Sequence, residues 1–369
     1  MGKISQIFNE FYPGYHEKYG QRMPLAQTPV ANALLKCRTG HYGYTKISCG
    51  DCKNSMYIEN GCGNRHCPQC QQEKNALWAE KQVAMLVSNA PYFMVTFTIP
   101  ESIRPFFQSN QRLSYDAFFE ATSETIKGLL RNKKYLGAEH VGFFGVLHTW
   151  DRQINYHPHI HFVVPGIGLS KDMKQMFTSA KNFLFPVQLA SQIVRAKFYD
   201  IIVRRGFEKQ YLQLPYKSRR EGWNVNSQSV GSGEEAIYYL SRYVFKTAIS
   251  EDRILNSNSQ SVTFQYKKKG TNRMRKSTIS GEEFIRRFLL HVLPRGLKKV
   301  RHYGFLNSKG KTVRGKLLFL ILEKVDFLYL PEPVNKKKQL KQYTCIKCHS
   351  HNVTCERLKP TFRKIYDTG

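Results

Sequence analysis

The sequence predicts an α+β fold with a small cysteine-rich module at each end. Three observations carry this. Stretches with the composition of strands (residues 92–99, 141–150 and 157–166) alternate with stretches whose apolar residues recur at helical spacing. The nine cysteines are clustered, six between Cys37 and Cys70 and three between Cys345 and Cys355. The chain also carries 57 Lys and Arg against 27 Asp and Glu, a net charge of +30, while its hydrophobic fraction of 41% is ordinary for a globular protein. Its 369 residues suffice for two or three domains with real cores. Such a charge attracts polyanions, nucleic acid first; a merely soluble basic protein is the plainer alternative. No run of 18 apolar residues exists and the N-terminus lacks an apolar signal core, so we expect no membrane span and a cytoplasmic, nucleoid-associated protein. In a chain without an export signal, clustered CxxC pairs read as metal ligands rather than disulfides.

Taken in order, residues 1–36 read as helical, interrupted by Pro13, Pro24 and Pro29, and form a lead-in to the next module. In residues 37–75, Cys49-x2-Cys52 and Cys67-x2-Cys70 are separated by fourteen residues, a spacing that suits one tetrahedral zinc. Cys37, Cys62, His41 and His66 remain; they form either a second, weaker site or packed thiols and supporting groups. A helix from Glu73 to about Ser88 carries the chain onward. Residues 92–99 form a strand ending at Pro100, residues 109–133 a helix, and residues 141–150 a second strand. A polar loop, 151–156, makes the second strand and the next one an antiparallel hairpin. Residues 171–206 read as helical and 207–232 as polar, irregular or short strands.

The stretch His157-Pro-His-Ile-His161 opens that third strand. Side chains alternate faces along a strand, so His159 and His161 point the same way, about 7 Å apart along the chain, with Ile160 turned to the core. Two such imidazoles can close on one cation; the alternative is a surface pair beside a hairpin loop. Residues 234–246 read as a helix whose buried stripe is Ile237, Leu240, Val244 and Ala248. Tyr239 and Tyr243 fall on the opposite side, flanked by Arg242 and Lys246. Two phenols on a cationic face suit attack on a phosphate, the cations favouring phenolate and stabilising charge on the phosphodiester; the alternative is an i,i+4 aromatic pair that simply packs.

Between residues 267 and 316 sixteen Lys and Arg face only Glu282 and Glu283. Residues 262–266 read as a strand, and Ser280-Gly-Glu-Glu283 as a capping box opening a helix over 282–293. Aromatics interleave with cations there, as suits a nucleic-acid surface. Residues 317–335 are apolar, then Pro-rich. After a linker, Cys345-x2-Cys348, Cys355 and one of His349 or His351 make either a second zinc knuckle or a partly ordered tail.

In this order, the motifs Cys49-x2-Cys52, Asn64-Arg-His-Cys67-Pro-x-Cys70, Leu147-His-Thr-Trp150, His157-Pro-His-Ile-His161, Tyr239-Leu-Ser-Arg-Tyr243, Phe284-Ile-Arg-Arg-Phe288 and Arg301-His-Tyr-Gly304 resemble the transposases of the insertion sequence 91 family, two-tyrosine members of the HUH (His-hydrophobic-His) superfamily. The resemblance spans nearly the whole chain. It implies an HUH nuclease palm with a central antiparallel β-sheet flanked by helices, the histidine strand central and the tyrosine helix facing it. It implies Mg²⁺ or Mn²⁺ held by His159 and His161, attack on single-stranded transposon-end DNA by Tyr239 or Tyr243, and a 5′-phosphotyrosine intermediate. Mg²⁺ prefers oxygen ligands whereas imidazoles suit Mn²⁺ and heavier ions, so the ion stays open. From the residues themselves, His148 is the preferred third ligand, with His157 able to exchange roles with it; the alternative for His148 is a buried histidine beside Trp150. The zinc candidates are Cys37, Cys49, Cys52, Cys62, Cys67, Cys70, Cys345, Cys348 and Cys355. The DNA-contact candidates are Arg242, Lys246, Arg286, Arg287, Lys298 and Arg301. The expected domains are 1–88 (lead-in and zinc), 89–255 (nuclease with tyrosine helix), 256–335 (basic part) and 336–369 (linker and knuckle). No Gly-x4-Gly-Lys-[Ser/Thr] loop is present, so unwinding would come from host machinery. A replication initiator of the same superfamily and a non-catalytic zinc-finger protein are the rival readings.

Overall fold

The computed structural model describes residues 2–71, 85, 87, 90–232, 247–268, 270–271, 273–323 and 343–359. The helix expected over 73–88 falls outside these apart from residues 85 and 87, and the tyrosine helix expected over 234–246 falls outside them wholly.

The described helices are α1 (Lys3–Tyr19), α2 (Gln27–Leu35), α3 (Arg104–Ser109), α4 (Gln111–Arg131), α5 (Val187–Arg204), α6 (Glu208–Leu212), α7 (Tyr216–Arg220), α8 (Gly281–Leu290) and α9 (Lys311–Leu322). The strands are β1 (Tyr44–Cys49), β2 (Ser55–Glu59), β3 (Pro91–Thr98), β4 (Gly142–Trp150), β5 (Tyr156–Pro165), β6 (Ile167–Leu169), β7 (Met176–Thr178), β8 (Asn224–Ser232), β9 (Ile254–Ser257), β10 (Ser261–Lys267), β11 (Met274–Ser280), β12 (Val300–Gly304) and β13 (Val353–Leu358).

Five strands form an antiparallel sheet in the order β12-β4-β5-β3-β8, with the histidine strand in the middle. The sheet's two faces follow from alternation. Phe97, Leu147, Ile160, Phe162 and Val164 project to one side and meet Phe107, Phe118, Phe119 and Phe198 from the helices α3, α4 and α5. Phe162 lies edge-on to Phe97 and Phe143, with ring centroids 5.9 and 5.7 Å apart. Each fully buried ring contributes on the order of 1.5–3 kcal/mol. On the other side, Phe144, Val146 and Val163 pack against Phe305, Leu317 and Ile321, the last two from α9. The histidines occupy the rest of that second side.

Some expectations need correction. Residues 171–186 are not helical: β7 within them pairs back onto β6, Met173 is a left-handed turn residue (φ 59°), and Pro186 caps α5. Pro13 sits inside α1 without ending it, and Pro29 falls in the first turn of α2, where its missing N–H costs nothing. Residues 207–232 read as polar and irregular or short strands, but 208–212 and 216–220 are the short helices α6 and α7; 224–232 is a strand, as one of those alternatives has it, at the edge of the main sheet. The helix expected over 282–293 is present as α8; Ser280 Oγ accepts from Glu283 N–H at 3.3 Å. The reciprocal half of the capping box is replaced, because the Glu283 carboxylate binds Arg286 and Arg287.

The N-terminal helices do not stand apart. Phe8 of α1 meets Phe288 of α8 edge-on at 5.2 Å, and α1, α2, α8 and the β9-β10-β11 sheet share one core.

Candidate metal centre

The hairpin of β4 and β5 sets His148 directly across from His159, and Val146 across from His161. On the other flank Thr96 of β3 faces His161 and Thr98 faces His159. The register shifts between His148 and Trp150, where β5 carries one extra residue at His157-Pro158. Such bulges re-aim neighbouring side chains, and a proline is tolerated in one. Beyond it the hairpin turn is held by Asp151, whose Oδ1 accepts from Gln153 and Asn155 N–H at 2.8 and 2.9 Å.

His148, His159 and His161 converge: one ring nitrogen from each lies within 4.8 Å of the other two. A triangle of that side has its centre about 2.8 Å from each corner, against a metal–nitrogen bond of about 2.1 Å. Small ring rotations would therefore suffice to close the group on one ion. The tautomers also suit. His159 Nδ1 contacts the His157 carbonyl at 2.7 Å, so Nδ1 carries the proton and Nε2 the lone pair. His161 Nδ1 is 2.8 Å from Thr96 Oγ1, a contact that fixes the orientation of that ring. His148 is 2% exposed and stacks on Trp150 with centroids 4.8 Å apart. His148 thus lies beside Trp150, and the same placement brings it within reach of the other two imidazoles. His157 does not join the triad; its Nδ1 accepts from Arg104 Nη2 at 2.9 Å.

Behind Trp150 lie two basic side chains whose protonation burial disfavours. The Lys299 ammonium lies 5.0 Å from the Trp150 ring centre, and burial, with Arg65 nearby, pulls its pKa down to about 7. His291 sits 5.8 Å from Trp150, held by Thr149 Oγ1 and the Ile154 carbonyl, and burial lowers its pKa to about 4. Sequence reading missed Thr96, Lys299 and His291. A signal for Thr96 existed: threonines 96 and 98 alternate with apolar residues in an otherwise buried strand.

Of the DNA-contact candidates, Arg242 and Lys246 lie outside the described residues, as do Tyr239 and Tyr243. Lys298 is exposed. Arg286 binds the Glu283 carboxylate at 2.6 Å. Arg287 binds the same carboxylate and the Gln153 carbonyl. Arg301 pairs with Asp116 and covers the Phe119 ring. The last two therefore brace the fold at these positions.

The cysteines group differently from the expected pairing. Cys49 and Cys52 are not with Cys67 and Cys70. One group is Cys37, Cys62, Cys67 and Cys70; the other is Cys49, Cys52, Cys345 and Cys348. Spacing alone chose the wrong partners, because strand pairing between β1 and β13 brings the chain's two ends together. Cys355, on β13 opposite Ile47, joins neither group. Cys37 and Cys62, left over in the sequence reading, are full members of the first. Its sulfurs stand 3.6 Å (Cys37–Cys67), 3.8 Å (Cys37–Cys70) and 3.8 Å (Cys62–Cys70) apart. Four sulfurs about 2.3 Å from a zinc lie about 3.8 Å apart, whereas a disulfide is about 2.05 Å. Backbone N–H groups of Cys62 and Gly63 donate to Cys37 and Cys70 Sγ, as thiolates require. At Gly61 a Cβ would stand 2.7 Å from Cys70 Sγ, so only glycine lets the chain pass this close. Next to this group, Arg65 donates to the Leu293, Pro294 and Leu297 carbonyls. The donor set and its spacing fit structural zinc.

Among the described residues no helix is long and apolar enough to cross a membrane. The family described as "Transposase zinc-binding domain" matches residues 7–99, and that described as "Putative transposase" matches residues 142–313. A protein of Sinorhizobium fredii named "Putative transposase y4qJ" is 34% identical over 325 residues, covering 83% of this chain and 81% of its own length. The transposase for insertion sequence element IS801 of Pseudomonas savastanoi pv. phaseolicola is 26% identical over 300 residues, covering 77% and 71%. No solved structure matches the chain. With a zinc-binding module ahead of a transposase domain, and relatives aligned over most of its length, the chain belongs to the insertion sequence 91 family of transposases.

Proposed function

We propose that this chain nicks and rejoins single-stranded DNA at transposon ends by tyrosine attack assisted by a divalent cation, through an HUH-type palm. The observation that carries the proposal is the His148-His159-His161 group, set by strand register on one face of the central sheet. These three imidazoles would hold the ion, which when bound supplies charge to polarise the scissile phosphate. His157, through its carbonyl, and Thr96, through its hydroxyl, keep the His159 and His161 rings in the ligating orientation. Tyr239 or Tyr243 attacks the phosphorus in line. The bond to the 3′ oxygen breaks, that oxygen leaves as a hydroxyl after taking up a proton, and the 5′ phosphate stays on the tyrosine. Reversal of the same step rejoins strands without a nucleotide cofactor, because the phosphodiester energy is kept in the phosphotyrosine. The second tyrosine allows a second cleavage before the first end is released. Arg242 and Lys246 would favour phenolate and hold the phosphate. Residues 89–255 then form the nuclease and 256–335 a basic DNA-binding part, in the bacterial cytoplasm at the nucleoid, with unwinding supplied by the host.

The test is a denaturing gel of protein with 5′- or 3′-labelled single-stranded end DNA and Mn²⁺ or Mg²⁺. We expect nicking that requires the metal and disappears in His159→Ala/His161→Ala. Nicking that survives this substitution, or tight binding with no cleavage under any metal, would overturn the assignment.

A further inference from the structure

The pairing of β1 with β13 was not part of the expected zinc module, and the family match to a zinc-binding domain covers residues 7–99. Cys49 Sγ lies 3.6 Å from Cys348 Sγ, and Cys52 Sγ 3.4 Å from Cys345 Sγ. All four sulfurs fall within 4.8 Å of one another, and these two distances are near the edge length of a tetrahedral thiolate cage, about 3.8 Å.

The two CxxC turns are built alike. In each, the first cysteine donates its N–H to the carbonyl five residues on: Cys49 to Asn54 and Cys345 to Ser350, both at 2.9 Å. In each, the residue after the second cysteine adopts a left-handed conformation, Lys53 at φ 59° and His349 at φ 57°. Non-glycine residues seldom sit there without a local reason. A tight knuckle that turns two sulfurs towards one point supplies such a reason. Two such knuckles facing each other beside a three-stranded sheet, β13-β1-β2, make the pattern of a zinc ribbon.

The knuckles are also joined to each other. Gly50 N–H donates to the Asn352 carbonyl at 2.8 Å. Asp51 accepts from Ser350 Oγ at 2.5 Å and from Asn352 Nδ2 at 2.6 Å. Six residue pairs, from Tyr44–Leu358 to Cys49–Val353, align β1 with β13. The C-terminal candidates outside the group face elsewhere: His349, His351 and Cys355 are exposed.

We propose that Cys49, Cys52, Cys345 and Cys348 form one tetrathiolate zinc site that clasps residues 343–359 onto the N-terminal module. The module is then composite, complete only when residues 343–359 have been made. The clasp closes a loop of 293 residues between Cys52 and Cys345. A metal clip of that span restricts the unfolded chain strongly. This site and the buried Cys37-Cys62-Cys67-Cys70 site are distinct, and loss of the clasp leaves the second intact.

The full-length native protein gives the test without mutation. Zinc is withdrawn stepwise with EDTA while free thiols are alkylated and mapped by mass spectrometry. We expect Cys355 to react at once. Cys49, Cys52, Cys345 and Cys348 should become reactive together, as one equivalent of zinc leaves. Reaction of Cys345 and Cys348 alongside Cys355, with Cys49 and Cys52 still protected, would overturn the proposal. Elemental analysis of variants is the second measurement. Cys345→Ser/Cys348→Ser, Cys49→Ser/Cys52→Ser and the combination of all four should each hold one zinc fewer than the parent. His349→Ala/His351→Ala/Cys355→Ser should hold the parental amount. Two zincs lost in the four-cysteine variant, or one lost in the last, would show separate sites and contradict the clasp. Neither readout involves cleavage of DNA, so this result stands apart from the test of nicking.

Discussion

At the scale of single residues, the proposed metal centre depends on groups that fix ring orientation as well as on the rings. Thr96 Oγ1 touches His161 Nδ1, and valine would keep its shape while removing the hydroxyl. Thr96→Val should therefore raise the Mn²⁺ concentration needed for half-maximal nicking about 10- to 100-fold, and Thr96→Ser should restore it. An unchanged metal requirement in Thr96→Val would remove the residue from the site. His148→Ala should lose more than Thr96→Val, because it removes one of the three converging nitrogens. The sequence made the His159/His161 pair legible through alternation and made His148 a candidate through hairpin pairing. The alternation of threonines 96 and 98 with apolar residues hinted at Thr96, but only the register of β3 against β5 gives it a partner.

At the scale of elements, the histidine hairpin depends on close packing behind it. A Cβ at Gly145 of β4 would stand 2.4 Å from Phe162 Cε1, and Phe162 follows His161 in β5. Gly145→Ala should thus displace the ring, at a cost of about 1–3 kcal/mol. The expected readout is a lowered Tm together with weakened nicking. The strands, the hairpin and the main helices were readable from composition and periodicity. The error over residues 171–186 arose because apolar residues at helical spacing also fit a short hairpin. The error in cysteine partners has a different cause. Local spacing reports which sulfurs share a turn, while the choice of partner turn belongs to β1–β13 pairing across nearly 300 positions, which no window of sequence contains.

At the scale of the whole molecule, two properties follow from charge. With a net charge of +30, DNA affinity should fall steeply with salt, as counterions return to the phosphates. Lys298→Ala, at an exposed position, should reduce the slope of log K against log salt by about one if that side chain meets a phosphate. The second property is acid lability. His291 is fully buried with a pKa lowered to about 4 from 6.5. Above pH 6.5 neither state holds its proton. Between 6.5 and 4 only the unfolded chain takes it up, so stability falls as pH falls through that window, by up to about 1.4 kcal/mol per pH unit. His291→Gln should flatten this dependence by about one proton in denaturant titrations at pH 7 and pH 5; an unaltered slope would contradict the assignment.

The central claim is that three imidazoles and a tyrosine act on one phosphate, and it is tested most directly by mapping the covalent product. Full-length protein is incubated with single-stranded end DNA and Mn²⁺, the DNA is digested, and tryptic peptides are sequenced by mass spectrometry. The account predicts a nucleotide remnant joined through a 5′ phosphate to Tyr239 or Tyr243, absent without metal and absent in His159→Ala/His161→Ala. A remnant on any other residue, or nicked DNA with no protein attached, would contradict it.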